Sequence, residues 1–314
     1  MPSTSAIQNS AYAAGATGAL LHDLIDYAGL FPPASLTMAE AVENYDVYLR
    51  SGWNWILARL IVPVSRLGEF EVAFADLPVP AQGTLLANWR LSVLLGTDAV
   101  ADILRLRAFN SRMATAGFAR KVVVESVEGK VASAEEIARL SAIIPAGLEA
   151  YFEIPLSGCS ESIPALASCG RRAKIRTGGE TADKFPAPAG VIEFIRRCAA
   201  AQVPFKATAG LHHPVRSVHR FTYQSDSASG MMHGFLNVFL AAAFLRAGME
   251  AEIALQVLEE QSVQAFRFDA DGIAWRQHRL SRDEIAATRR DFAISFGSCS
   301  FTEPIDDLRS LHLL

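Results

Sequence analysis

Five of the 29 basic residues in this chain are lysines: Lys121, Lys130, Lys174, Lys184 and Lys206. Two of the five open related phrases 32 residues apart, Lys174-Ile-Arg-Thr-Gly178 and Lys206-Ala-Thr-Ala-Gly210. Each reads as the end of a buried strand running into a glycine turn. Arginine keeps its proton inside a protein, whereas a desolvated lysine can lose one, and the neutral amine attacks carbonyl carbon. The chemistry these residues suggest is Schiff-base formation. Lys174 is the expected nucleophile. Lys206, expected one strand away, would favour the neutral amine of its neighbour through like-charge repulsion.

Such residues need a scaffold that brings strand ends together. Apolar runs expected as strands are Leu24–Ala28, Leu57–Val64, Arg90–Leu95, Arg120–Glu125, Ala150–Ile154, Ala173–Thr177, Pro204–Thr208 and Phe292–Phe296. Helical patterns lie between them: Thr37–Arg50, Asp98–Ala114, Ser133–Ile144 and Ala189–Ala201. Thr37 followed by Glu40 is a capping box. Strands starting roughly every 30 residues are the rhythm of βα units on a parallel sheet. The beat breaks over the 88 positions from Pro204 to Phe292, which hold a polar loop (Ser225–Gly230), a long apolar helix (Met231–Arg246), a second helix (Ala251–Gln261) and a hairpin turning at Asp271-Gly272. We read an α/β fold, a single (β/α)8 barrel with an insertion before its eighth strand. A doubly wound open sheet competes. The first strand lacks the Gly-x-Gly-x-x-Gly turn of a dinucleotide fold.

A barrel of this kind keeps its active site at the C-terminal ends of its strands, and residues two apart on a strand face the same way. That collects Asp26, Glu125, Glu153, Lys174, Arg176 and Lys206 into one ring. Glu125 and Glu153 are candidates for proton transfer. Arg176, Thr208, His212, His213 and Arg216 would hold an anionic or hydroxylated substrate end, since arginine grips oxyanions through two parallel bonds. The segment Gly297-Ser-Cys-Ser300, with Gly297, Ser298 and Ser300 offering N–H and hydroxyl groups before a short helix, has the makings of an anion site. The substrate class is a small carbonyl compound, phosphorylated or carboxylated, and no cofactor is called for.

Lys174-Ile-Arg-Thr-Gly178 is similar to the sixth-strand motif of deoxyribose-phosphate aldolases, Lys-x-x-Thr-Gly, whose lysine forms the Schiff base. Lys206-Ala-Thr-Ala-Gly210 resembles the seventh-strand Lys-Ala-Ser-Gly-Gly, whose lysine tunes the first. Phe152-Glu-Ile154 resembles the fifth-strand segment that carries a glutamate, and Gly297-Ser-Cys-Ser300 the phosphate-holding turn after the eighth strand. Glu125 stands where the fourth-strand acid would fall. The resemblance covers the C-terminal half in short pieces and implies a class I aldolase-type lyase. The long insertion and the loop Leu211-His-His-Pro-Val-Arg216 depart from that family's pattern.

Two rival readings use the same residues. His212 or His213 with Glu153 or Asp26 would make a metal-dependent lyase or hydrolase. A non-catalytic binding barrel would keep the lysines as ion-pair partners and could use Phe235, Phe239, Ala242 and Leu245 as an interface for a homo-oligomer, although a face at that helical spacing is more often plain core. A net charge of −4 without charge runs gives no reason to expect nucleic acid or membrane as partner. Cys159, Cys169, Cys198 and Cys299 have no paired spacing, so free thiols and a cytoplasmic setting are expected. Residues 1–20 are expected as a flexible tail and 21–314 as the barrel domain.

Overall fold

A computed structural model describes residues 14–78, 87–117 and 120–314. Seven parallel strands arrive on the expected beat: β1 (Ile25–Tyr27), β2 (Leu57–Pro63), β3 (Trp89–Leu94), β4 (Val122–Lys130), β5 (Glu149–Glu153), β6 (Arg172–Arg176) and β7 (Phe205–Thr208). Between β7 and the last strand lie an antiparallel hairpin, β8 (Ser217–Arg220) with β9 (Ser229–Met232), and a three-stranded sheet of β10 (Phe266–Phe268), β11 (Gly272–Trp275) and β12 (His278–Ser281). The eighth barrel strand, β13 (Ala293–Ser298), inserts between β1 and β7 and closes the cylinder in the order β1-β13-β7-β6-β5-β4-β3-β2. The fold is a (β/α)8 barrel with an insertion before its eighth strand.

The helices follow from local signals. After α1 (Ala16–Leu21), α2 (Met38–Leu49) begins at the Thr37 capping box, where the Glu40 carboxylate accepts from the Thr37 N–H at 2.8 Å and Thr37 Oγ1 accepts from the Glu40 N–H at 3.3 Å. Next come α3 (Leu67–Ala75), α4 (Ala99–Thr115), α5 (Ala134–Ile143), α6 (Cys159–Ser168) and α7 (Pro188–Ala200), with Asp98 and Ser133 capping α4 and α5. The insertion supplies α8 (Phe235–Arg246), α9 (Ala251–Glu259) and α10 (Arg282–Asp291), and α11 (Thr302–Ser310) follows β13.

Two expectations need correction, and one rival reading loses its surface. Met231 and Met232 belong to β9, so α8 starts four residues later than read, at Phe235. A side chain on Gly234 would meet the Pro214 carbonyl oxygen at 2.5 Å, and this close pass of two loops ends the hairpin before the helix begins. Phe235, Phe239 and Ala242 are buried in the chain's own core, with Phe235 stacked on Phe296 at 5.1 Å, so that face is already occupied. The expected tail lies outside the described residues as far as position 13. Beyond it, α1 buries Ala16, Leu20 and Leu21 against α10 and β11, because its small residues allow close packing.

The strand faces divide sharply. Val127, Phe152, Ala173, Ile175, Phe205 and Ala207 are buried apolar residues, and their strand neighbours at alternate positions are Glu128, Glu153, Lys174 and Lys206. Barrel interiors are usually filled by branched aliphatic side chains. This one is filled largely by ion pairs.

Candidate active site

β6 and β7 pair in parallel register with Lys174 directly beside Lys206. Close approach of the following loops helps hold the two strand ends together. A side chain on Gly178 would meet Gly210 Cα at 2.7 Å, and Gly210 has φ of +74°, so glycine is required at both. Thr177 ties the same loops, its hydroxyl donating to the Ala209 carbonyl at 2.7 Å.

Lys206 is fully buried, donating to Asp26 Oδ2 at 2.8 Å and to Glu128 Oε1, with its Nζ 4.9 Å from the centre of the Tyr151 ring. Lys174 donates to Glu128 Oε2 at 2.8 Å and lies 3.0 Å from Glu153 Oε2. Glu128 therefore bridges the two amines, one through each oxygen. Around this core, Ser92 donates to Glu128 at 2.6 Å and Ser295 donates to Asp26 at 2.7 Å. Arg176 reaches Glu153 at 3.2 Å and marks the exposed end of the row.

Burial and pairing act in opposite directions here. Burial alone would raise the carboxyl pKa values of Asp26, Glu128 and Glu153. The cations beside them prevail and hold all three below the ordinary range: Lys206 and Arg59 for Asp26, Lys174 and Lys206 for Glu128, Lys174 and Arg176 for Glu153. Burial likewise works against the charge of Lys206, yet Asp26 and Glu128 outweigh it and raise its pKa.

Asp26, Glu153, Lys174, Arg176 and Lys206 thus converge as expected, whereas Glu125 does not join them. It binds Arg59 and Arg90, each at 3.0 Å, toward the N-terminal end of the barrel. The reason is local. β4 runs on to Lys130, and its pairing with β3 steps from Leu91–Val124 to Ser92–Ser126, leaving Glu125 as the extra residue of a bulge. Past the bulge the polar residues recur at every second position, Ser126, Glu128 and Lys130. That alternation was the sequence signal for Glu128, missed by ending the strand at its first charge. Arg59, Ser92 and Ser295 were missed because a lone polar residue within an apolar run carries little signal.

The histidines are placed differently from the metal reading. His212 Nδ1 lies 3.0 Å from Glu303 Oε2 and His213 Nδ1 lies 2.6 Å from Asp307 Oδ2, so each pairs with α11 and neither with Glu153 or Asp26. His213 also stacks on His219 with ring centres 3.3 Å apart. Among the described residues no three His, Cys, Asp or Glu side chains are arranged to hold a metal ion.

Thr208 lies beside Gly297, where an added side chain would come within 3.3 Å of its hydroxyl. Ser298 accepts from the Ser300 N–H at 3.4 Å and Ser300 from the Glu303 N–H at 3.1 Å, so both oxygens help shape the turn into α11. Arg216 is half-buried, and among the described residues no carboxylate lies within ion-pair distance of it. The four cysteines are free thiols, and no helix among the described residues is long and apolar enough to cross a membrane.

No protein-family model matches this chain, and no curated protein is significantly similar to it.

Proposed function

We propose that this barrel is a Schiff-base lyase of the class I aldolase type, with Lys174 as nucleophile. The observation that carries the reading is the division of labour between two adjacent lysines. Lys206 is fully buried between Asp26 and Glu128, whose charges raise its pKa, while Lys174, paired with Glu128 and Glu153, keeps 6% of its side chain exposed. The same arrangement supports Glu128 as the fourth-strand acid, the role that Glu125 had been expected to fill.

In this scheme Lys174 first passes a proton to Glu153, 12% exposed at its side chain, or to water at the mouth. The free amine attacks the substrate carbonyl carbon, and the carbonyl π electrons move to oxygen. The oxygen takes up a proton while the new ammonium nitrogen gives one up, which completes the carbinolamine. A second proton, returned by Glu153 or by water at the mouth, lets the hydroxyl leave as water, and the nitrogen lone pair closes the protonated imine. Lys206 stays protonated and keeps Glu128 fixed between the amines. Arg176 and Arg216 offer guanidinium groups to a substrate phosphate or carboxylate.

A binding barrel with a purely structural ion network is the second reading, favoured by the way Lys174, Arg176 and Lys206 balance Asp26, Glu128 and Glu153 in ion pairs. Borohydride reduction with a broad panel of aldehydes and ketones separates the two. Our proposal expects a mass adduct on the Lys174 peptide that Lys174→Arg abolishes and Lys206→Arg retains. A label on Lys206 alone reverses the roles. No label across the panel leaves the binding barrel standing.

A further inference from the structure

The opposite end of the barrel carries a second concentration of charge. A cavity of about 460 Å³ opens there between α1, α10 and the starts of the barrel strands, a volume suited to a small molecule. Six guanidinium groups line it: Arg59, Arg90, Arg172, Arg282, Arg289 and Arg290. Three are neutralised in a local network. Arg90 pairs with Asp23 and Glu125, Arg59 with Glu125 and Glu149, and Arg172 with Glu149. Arg290 pairs with its sequence neighbour Asp291.

The remaining two have no such partner. Arg289 is buried, and its five N–H groups are spent on the carbonyls of Leu20, His22, Asp23, Ala293 and Ile294. Among the described residues no carboxylate lies within ion-pair distance of Arg289 or Arg282. Burial without a paired carboxylate lowers the Arg289 pKa to about 10. Arg59 adds an incomplete contact, since its buried Nε has no aligned hydrogen-bond acceptor although Glu125 is near. Six guanidinium groups thus stand against Asp23, Glu125, Glu149 and Asp291, with Asp26 shared between Arg59 at 3.8 Å and Lys206, and low-dielectric walls of the concave site concentrate the excess field. The N-terminal face of a barrel ordinarily serves stability alone.

We propose that this cavity is a second ligand site, distinct from the lysine mouth, for a small molecule carrying two or more phosphate or carboxylate charges. Arg282, and Arg290 out of its exposed pair with Asp291, are the groups able to swing onto such a ligand, and guanidinium forks match the geometry of either oxyanion. The proposal is independent of Schiff-base chemistry.

Calorimetric titration of the full chain at low ionic strength, with inorganic pyrophosphate and separately with citrate, tests it. The expected result is saturation by at least one of them with a single ligand per chain. The Arg282→Ser/Arg290→Ser double variant should weaken that binding by about tenfold or more, and Lys174→Met should bind like the parent. Both exposed substitutions leave the buried network intact, and matching melting curves verify the fold. Binding of pyrophosphate alone assigns a phosphate-bearing ligand, of citrate alone a carboxylate, and of both a general oxyanion site. The proposal is overturned if neither ligand binds, if the double variant binds unchanged, or if Lys174→Met abolishes binding and so moves the ligand to the mouth.

Discussion

Replacing Lys206 by Met removes the cation shared by Asp26 and Glu128 while keeping a long, flexible side chain in the core. Glu128 retains Lys174 at 2.8 Å and the Ser92 hydroxyl at 2.6 Å. Asp26 fares worse. It keeps the Ser295 hydroxyl at 2.7 Å and the Arg59 backbone N–H at 3.1 Å, but its remaining cation, Arg59 Nη1, is 3.8 Å away. Both side chains of the lost pair are 0% exposed, so solvent does not screen the orphaned charge. Removing one partner of a buried pair costs about 3–5 kcal/mol. With unfolding entropy near 2.1 cal/mol/K per residue, a chain of 314 residues should melt about 5–8 °C lower. The Asp26→Asn/Lys206→Met double variant removes the orphaned charge as well and should recover at least half of that loss. The gap between parent and Lys206→Met also depends on pH. Asp26 has a lowered folded pKa, so its stabilisation is complete above the unfolded value near 3.9 and is lost as pH falls through the folded value. Lys206 has a raised folded pKa, so its stabilisation is complete below about 10.4 and is lost as pH rises through the folded value. The gap should therefore be widest around neutral pH and close toward both extremes. Calorimetric melting across that range measures it. A drop under about 2 °C near neutrality, or a double variant no more stable than Lys206→Met, would refute the reasoning.

Glu128→Gln should slow trapping of an aldehyde at Lys174 by about 100-fold or more if the glutamate takes part in proton transfer. Glu125→Gln should leave the trapping rate near the parent while lowering the melting temperature, because it releases Arg59 and Arg90. Equal rates for the two variants would remove Glu128 from the proposed site. Gly210→Ala should lose more than about 1 kcal/mol of stability, since φ is +74° and the new methyl group would press on Gly178. Denaturant melts of that variant beside Gly147→Ala, an open position where a side chain meets nothing within 4 Å, isolate the contact.

The barrel was legible because its signals are local and repeated. Seven strands, four capped or periodic helices and the break before β13 all rest on patterns a few residues long. Lys174 and Lys206 were legible for the same reason, each sitting four residues before the glycine of its turn. What escaped the sequence depends on partners far along the chain. The bulge at Glu125 exists only through pairing with β3, and it changes which carboxylate of β4 faces the lysines. The β8–β9 hairpin was read as loop and helix because Ser229-Gly-Met-Met232 lacks the β-branched residues that announce a strand. The histidines suggested a metal because α11, which supplies their carboxylates, lies 91 and 94 residues away.

The distances along the chain between the partners of Asp26 set a clock on the birth of this protein. Its cation Lys206 follows 180 residues later, and its hydroxyl donor Ser295 follows 269 residues later. Arg289 secures the Leu20 carbonyl across the same 269 residues. At ribosomal speeds of about 5–20 residues per second, β1 waits about 13–54 s for the strand that closes the cylinder. Throughout that interval the nascent chain carries a carboxylate that cannot yet be buried and a parallel sheet with an open edge, both hazards for a lone polypeptide. Closure is thus a late event, and a chain interrupted before β13 is marked for capture by chaperones or proteases through the very edge that the finished barrel conceals.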